Sequence, residues 1–518
     1  MPKIKVNGNE IEAAPGQKLL QVLVDHKVVV PYYCWHPGLQ PHGNCRMCLV
    51  KVSNSRKLEV SCMWPVAEGM EVWTEGPEVD AARKGVLEYM LINHPLDCPV
   101  CDKAGECMLQ DHTFNYRKGL SRFKEDKVLK GTWDLGPNVR IWGNRCISCT
   151  RCVRFCDDVV GTGELSISNR GDHSVADVHP DVPLDNPMSL NVVDICPVGA
   201  LIDKNFMYQA RVWFADRKES VCGGCSRGCN ITVTTHKGAI KRIQPRHNEA
   251  VNGYWMCDAG RLGNEWVDGP TRLRASRGTV GDIAAALRGA KGRVGILAST
   301  AATVEELFLL RQLADATGAQ VGFLTLEQGE RWVSKSGFAI ETDKTPNRKG
   351  AEQRFGGPLP GVEGVISAIQ QGSVSHLLVV NAIPNLGWSA ELLAAAKKVS
   401  WLGVADVVDS ALVAAAKVVV PSAAWVEKEG TWINRDGRVQ RIRAALPSAE
   451  GTTPDTAWLQ EVLVALGARP STISVEGVFR QAMPGLDYRK VGELGHHPGA
   501  AEDSSAGGTG AVAPAGAK

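Results

Sequence analysis

The sequence predicts a multidomain chain, α+β in its first half and α/β in its second. Three observations carry that reading. All sixteen cysteines of the 518-residue chain fall between residues 34 and 257, and fifteen of them, with one histidine, form four sets of four. A strand–turn–strand pattern opens the chain: Ile4 and Val6 precede Asn7-Gly8, and Ile11 and Ala13 follow it. From about residue 272, apolar strand runs alternate with helical patterns, which implies parallel α/β layers. A chain of this length should hold several domains with ample core.

The cysteine sets are Cys34, Cys45, Cys48 and Cys62; His94, Cys98, Cys101 and Cys107; Cys146, Cys149, Cys152 and Cys196; and Cys222, Cys225, Cys229 and Cys257. Only Cys156 is left over. No apolar or Arg/Ser-rich leader is visible at the N-terminus, so a cytosolic location is expected. There thiols stay reduced, and Cys-x-x-Cys serves metal or redox chemistry. Structural zinc sites pair two Cys-x2–4-Cys hooks. The third set instead reads Cys-x2-Cys-x2-Cys closed by a remote Cys196-Pro197, the spacing of a [4Fe–4S] ferredoxin. Lys plus Arg number 58 against 56 Asp plus Glu, a net +2 that gives no electrostatic case for nucleic acid. The longest apolar region, 401–420, is broken by Asp406, Asp409 and Lys417 and cannot span a bilayer cheaply. Any membrane contact is expected through partners.

Taken in order, the opening hairpin leads to Leu19, Leu20, Leu23 and Val24 at helical spacing, then to a cysteine loop. This looks like the β-grasp start of a [2Fe–2S] ferredoxin, over 1–77. Its Cys-x10-Cys-x2-Cys-x13-Cys run departs from the plant-type spacing but keeps the short Cys45–Cys48 gap. Gly43 is expected to let backbone amides approach the cluster sulfurs. A helix over 78–92, with Val79, Ala82, Val86, Tyr89 and Met90 on one face, should deliver His94 to the second site, in a segment over 78–118. Alone, His94 would read as a surface histidine. Three nearby cysteines that need a fourth ligand make it the candidate, ahead of His112 and Cys156. Residues 134–212 read as a ferredoxin-like [4Fe–4S] domain. A second cluster there would need a second Cys-x2-Cys-x2-Cys run, so Cys156 reads as a buried spectator thiol. Residues 215–271 carry Cys-x2-Cys-x3-Cys-x27-Cys with Gly223, Gly224 and Gly228, and short strands at 232–234 and 240–243 around a His236-Lys237-Gly238 turn. In 272–497, strands are expected at 292–297, from Val321, and at 376–380, 401–404 and 417–420, with a helix over 304–316. No phosphate-cradling Gly-rich loop marks a nucleotide site. Residues 498–518 should form a disordered tail.

The segments Asn44-Cys45-Arg46-Met47-Cys48, His94-Pro95-Leu96-Asp97-Cys98-Pro99-Val100-Cys101, Arg145-Cys146-Ile147-Ser148-Cys149-Thr150-Arg151-Cys152 and Asp194-Ile195-Cys196-Pro197-Val198-Gly199-Ala200 occur in that order. Together they resemble the family of large iron–sulfur subunits of NADH–quinone oxidoreductase (respiratory complex I). The likeness covers about residues 1–270. The stretch from Glu429-Gly430-Thr431-Trp432 to Arg438-Val439-Gln440 is similar to the molybdopterin-oxidoreductase fold, and its short half implies a reduced version, 272–497.

The resemblance implies one [2Fe–2S] cluster on the first set and three [4Fe–4S] clusters on the others, with iron held by those residues and no molybdopterin. Some relatives lack the fourth cluster. Its four cysteines are present here, so it is expected, off the main electron path. The implied role is an electron relay from a flavin/NADH-binding subunit toward quinone, with other peripheral-arm subunits as partners at the cytoplasmic face of the membrane. No catalytic residue and no independent activity are expected. A neutral His94 in place of a thiolate should raise the second cluster's potential. Rival readings are an NAD-linked formate dehydrogenase or other molybdenum or tungsten enzyme, an iron hydrogenase, and a zinc-bound scaffold. The first two are disfavoured by the absence of cysteine after Cys257, although a serine or aspartate metal ligand stays open.

Overall fold

The computed structural model describes residues 1–116, 121–468 and 474–497; the tail expected at 498–518 lies outside them. The chain divides into two compact units. Met1–Ala215 with Ser334–Phe338 make the first, and Asp216–Val333 with the described residues from Ala339 to 497 make the second.

The first unit opens with strands Lys3–Val6 and Asn9–Glu12, antiparallel, with Ile4 opposite Ile11. Asn7 and Gly8 take φ 48° and 85°, the left-handed pair that a two-residue hairpin turn demands. Lys3–Val6 also pairs in parallel with Glu71–Trp73, which pairs with Leu49–Val52, and that with Glu59–Val60. Helix Leu19–Asp25 packs Leu19, Leu20, Val22 and Leu23 onto this five-stranded sheet. The cysteine loop of residues 34–48 is thus hung between a helix and a core strand.

Helix Pro77–Asn93 starts with Pro at its first position and Glu78 and Asp80 in its first turn, both favoured there. Its inward face is Val79, Arg83 and Leu87, while Tyr89 is 79% exposed. The expected face is therefore rotated, because a charged residue occupies an inward position. Arg83 donates to Leu49 O at 3.0 Å and lies 5.5 Å from the Tyr116 ring, contacts that hold the guanidinium inside.

The ferredoxin-like part is a three-stranded antiparallel sheet of Leu201–Asp203, Val139–Trp142 and Thr132–Asp134, with a separate hairpin of Leu165–Ser168 and Val175–Val178. Helix Arg151–Arg154 continues into a π-turn, Phe155–Val160, and helix Asn191–Ile195 ends at Cys196.

In the second unit, Asp216–Val221, Asn230–His236 and Ala239–Pro245 form an antiparallel sheet, with Lys237 and Gly238 at positive φ in the expected turn. Beyond it lies a five-stranded parallel sheet in the order Gln320–Leu324, Val294–Ser299, His376–Val380, Trp401–Asp406, Val418–Pro421. Apolar clusters pack on both its faces, as parallel sheets require. Helix Val304–Thr317 is started by a capping box: Thr303 Oγ1 accepts from Glu306 N at 3.2 Å, and the Glu306 carboxylate accepts from Thr303 N at 2.7 Å.

This unit buries several charges. Lys428 Nζ meets Glu306 at 2.6 Å and Asp455 at 3.8 Å, and Arg272 meets Glu427 at 2.8 Å. Asp406, at a strand end, accepts from Asn381 Nδ2 and Val407 N through Oδ1, but Oδ2 is buried with no partner. Burial, with the Asp455 charge adding, pushes its carboxyl up to about 7. A raised carboxyl contributes its stability at low pH and loses it as pH rises from the unfolded value, about 4, through 7. Asp406→Asn removes that loss. Urea unfolding of the intact chain at pH 5 and pH 8 should show the variant gaining about 2–3 kcal/mol on the unmutated chain between the two. Parallel pH profiles would show that Asp406 is not the titrating group.

Candidate metal centres

In the first set, Cys34 sits within hydrogen-bond reach of both Cys45 and Cys62, and Cys48 of Cys62, so all four sulfurs converge. Hydrogen bonds from the Cys45 and Cys62 thiols pull the Cys34 thiol below its usual range and push those of Cys45 and Cys62 above theirs. Asn44 N, directly after Gly43 at φ 71°, also bonds the Cys34 sulfur. A Cβ at residue 43 would meet Met63 Cγ at 2.8 Å, so the position needs glycine twice over.

The third set lines one small pocket of about 20 Å³ with apolar neighbours such as Ile141, Ile167 and Val198. Cys146, Cys149, Cys152 and Cys196 all face it; Cys156 does not. The leftover thiol is fully buried and hydrogen-bonded to Glu164, whose carboxylate also takes two 3.1 Å bonds from Asn186 Nδ2. Burial pushes the Cys146, Cys149 and Cys152 thiols up, Cys149 to about 12.

The second set is assembled from a helix end and two loops. His94 caps helix Pro77–Asn93, Cys98 and Cys101 flank a short 3-10 turn, and Cys107 precedes helix Met108–Tyr116. The three thiols lie near enough to interact electrostatically. His94 Nδ1 is buried with no partner among the described residues. Burial lowers the imidazole to about 4, with Arg145 and Lys127 adding to the effect, so it is neutral and able to offer a lone pair at pH 7. His112 Nε2 is likewise buried and unpartnered, but its ring packs edge-on against Tyr33 at 5.1 Å.

The fourth set belongs to the second unit. Cys222 follows strand Asp216–Val221, and its N–H bonds Cys229 O at 2.8 Å; Cys257 caps helix Asp258–Leu262. All four thiols are buried and mutually close, and burial raises each. They open on a cleft of about 290 Å³ at the carboxyl ends of the parallel strands, reached by Ala301, Ile383, Val407 and Ala423 and walled by Trp425 and Trp432. That end of an open parallel sheet, where the connections diverge, is where α/β folds place ligands.

These sites share one local device. Backbone amides two or three residues on point at the sulfurs: Ser148 N at Cys146, Gly224 N at Cys222 and Gly260 N at Cys257, each at 3.4 Å. Left-handed backbone at Arg46, Ser148 and Thr150 aims such amides inward. Buried thiols that resist ionisation together, ringed by donors, fit a cationic iron core that takes up their negative charge. Buried arginines then tie the loops together, a feature that sequence spacing did not reveal. Arg145 gives two bonds to Asp97, at 2.9 and 2.6 Å, and reaches Gly199 O at 3.4 Å. Gly199 itself must be glycine, because a Cβ there would collide with Cys101 Sγ.

Comparison with known proteins comes to the same half of the chain. A 2Fe-2S iron-sulfur cluster binding domain matches residues 2–77 and an NADH-ubiquinone oxidoreductase-G iron-sulfur binding region matches 83–120. The ferredoxin-like domain of NADH-quinone oxidoreductase subunit 3 matches 136–202, a molybdopterin oxidoreductase Fe4S4 domain 216–269, and a molybdopterin oxidoreductase model 357–463. The order of domains expected from the sequence is thus present, with [2Fe–2S] and [4Fe–4S] binding modules. The G subunit of NADH-quinone oxidoreductase from Rickettsia prowazekii is 42% identical over 262 residues, 51% of this chain and 39% of that protein. The mitochondrial NADH-ubiquinone oxidoreductase 78 kDa subunit of Neurospora crassa is 41% identical over 262 residues, 50% of this chain and 35% of that one. The iron–sulfur half is therefore homologous to these complex I subunits, while the match spans about two fifths of their length. A crystal structure of an NAD+-reducing [NiFe]-hydrogenase is 27% identical with a TM-score of 0.38, over 41% of this chain and 91% of that one. No helix among the described residues is long and apolar enough to cross a membrane.

The contrast between Cys156 and Cys196 is directly testable. Cys196→Ser should cost the third site its cluster, about four iron atoms per chain, while Cys156→Ser should keep full iron content. Iron and sulfide analysis of the two anaerobically purified variants decides, and the reverse pattern would exchange the two assignments.

Proposed function

We propose that this chain is the electron-relay subunit of an NADH–quinone oxidoreductase. It would hold a [2Fe–2S] cluster on Cys34, Cys45, Cys48 and Cys62, and [4Fe–4S] clusters on His94 with Cys98, Cys101 and Cys107, on Cys146, Cys149, Cys152 and Cys196, and on Cys222, Cys225, Cys229 and Cys257. The observation that carries this reading is the convergence of the first, third and fourth sets into dry, thiol-lined sites with amides aimed at the sulfurs, in a chain whose relatives are complex I subunits.

Bound clusters supply one-electron storage and transfer. The chain's own residues hold the ligands, exclude water and set the local charge. NADH gives up a hydride, two electrons at once, so a flavin-bearing partner is needed to feed single electrons in, and other peripheral-arm subunits to take them on toward quinone. Exposed apolar side chains near the second set support covered surfaces: Leu96, Phe114, Trp213 and Phe214 are 56–85% exposed, and Trp213 packs over Gly105 in the cysteine loop. Membrane attachment would come through those partners at the cytoplasmic face.

Anaerobically purified chain should contain about 14 iron atoms with little zinc or molybdenum. Dithionite should bleach its visible absorption, and NADH should do so only when a flavin-bearing partner is added. Rapid bleaching by NADH or formate alone would instead mark a self-contained dehydrogenase.

The histidine ligand has its own test. His94→Ala should make the second cluster labile. His94→Cys should retain it at a lower potential, because a thiolate adds negative charge. Low-temperature electron paramagnetic resonance of the two variants reads the outcome, and an unchanged second-cluster spectrum in His94→Ala would remove His94 from the ligand set.

A further inference from the structure

We propose that Arg154 is a positive charge shared by the first and third cysteine sets, raising the reduction potentials of both clusters together. The inference rests on the cluster assignment above and concerns a residue outside the ligand sets.

Arg154 lies on the helix that carries Cys152, yet its guanidinium faces the first site. Nη2 donates to Cys34 O at 2.5 Å and to Cys149 O at 3.4 Å, Nη1 donates to Gln40 O at 2.5 Å, and Nε reaches Thr150 Oγ1 at 3.2 Å. One side chain therefore bonds the backbone of a ligand in each of two sets far apart along the chain, Cys34 and Cys149. It is 8% exposed. Arg151, on the same short helix, repeats the pattern: it donates to Ile195 O at 2.9 Å and to Trp35 O, and touches Met108 Sδ at 3.9 Å.

What separates this pair from Arg145 is charge balance. Arg145, beside Cys146, is neutralised by Asp97. Among the described residues Arg154 makes no ion pair; its partners there are carbonyls and a hydroxyl, which solvate a cation without cancelling it. The acidic groups that face it are the Cys34 and Cys149 thiols and the exposed Asp158. In a low-dielectric interior an uncancelled cation acts over several ångströms and favours the state with one more electron. Placed between two sites, it favours reduction at both. Asp158 offsets part of that charge from the exposed side.

The test is a redox titration of the full chain in its assembled complex, followed by electron paramagnetic resonance. In Arg154→Gln the signals of the [2Fe–2S] cluster and of the third-set [4Fe–4S] cluster should both become harder to reduce. Each should shift at least tenfold in its reduction equilibrium, about 59 mV for a one-electron couple, while the fourth-set signal stays in place. Arg154→Lys, which keeps the charge but not the forked geometry, should restore most of both shifts. Asp158→Asn, at an exposed position that leaves the core untouched, should move both potentials the opposite way, upward. A shift at one site only, or equal shifts in the Gln and Lys variants, would reduce Arg154 to a structural clamp. If Arg154→Gln does not assemble, unchanged potentials in Asp158→Asn overturn the proposal on their own. Absence of iron and of these signals from the unmutated chain would instead overturn the cluster assignment beneath it.

Discussion

The first unit is organised around one electrostatic constraint: thiol groups must be held in contact with one another, out of water, by a chain that would otherwise keep them apart. Apolar packing alone makes that worse, since burial pushes thiols such as Cys107, Cys149 and Cys152 toward their neutral form. The opposing contribution comes from the backbone and from arginine. Amides just beyond the cysteines supply partial positive charge at the sulfurs, and left-handed residues aim them. Arg83, Arg145, Arg151 and Arg154 each donate to carbonyls beside cysteines of the first three sets or next to their neighbours. Buried guanidiniums are tolerated because five donors can be satisfied by carbonyls in a fork geometry that lysine cannot offer.

The second unit solves a different problem with a similar economy of means. Its parallel sheet is apolar on both faces, but two helix starts, a strand end and the segment before the Gly430–Ile433 hairpin carry buried Glu305, Glu306, Asp455, Asp406 and Lys428. One ammonium serves two of these carboxylates, and capping amides and hydroxyls serve others. The charged layer lies on the same side of the sheet as the cleft beside the fourth cysteine set, into which Lys428 also reaches. This half therefore keeps the polar framework of a ligand-holding α/β fold at its carboxyl edge.

Ligand spacing, the opening hairpin and the parallel strands were legible because each depends on residues close in sequence. Short fixed gaps between cysteines, Asn-Gly between alternating apolar positions, and runs such as Val418-Val419-Val420 carry their structural meaning locally. What escaped the sequence depends on partners far along the chain. Arg83 reads as an outward position until the carbonyl of Leu49 is brought to it. Strand Asp216–Val221 has a charged start, Asp-Arg-Lys-Glu, and is visible only through its pairing with Asn230–Thr235. The bridging roles of Arg151 and Arg154 rest on carbonyls more than a hundred residues upstream, for which no local pattern exists.

The placement of Gly199 against Cys101 has a consequence for the order in which a growing chain can mature. Cys98, Cys101 and Cys107 leave the ribosome well before Cys196, yet Cys101 is backed by the loop that follows Cys196, and Arg145 pins Asp97 to that loop through Gly199. The second pocket therefore lacks one wall until residue 199 has emerged, the same moment at which the third pocket gains its last thiol. Closing so long a loop costs little extra entropy once its ends can meet. Translation thus sets the timetable: the amino-terminal sheet can close once its last strand, Glu71–Trp73, has been made, its cysteine loop gains the Arg151 and Arg154 bonds later, and the next two pockets become complete in a single event.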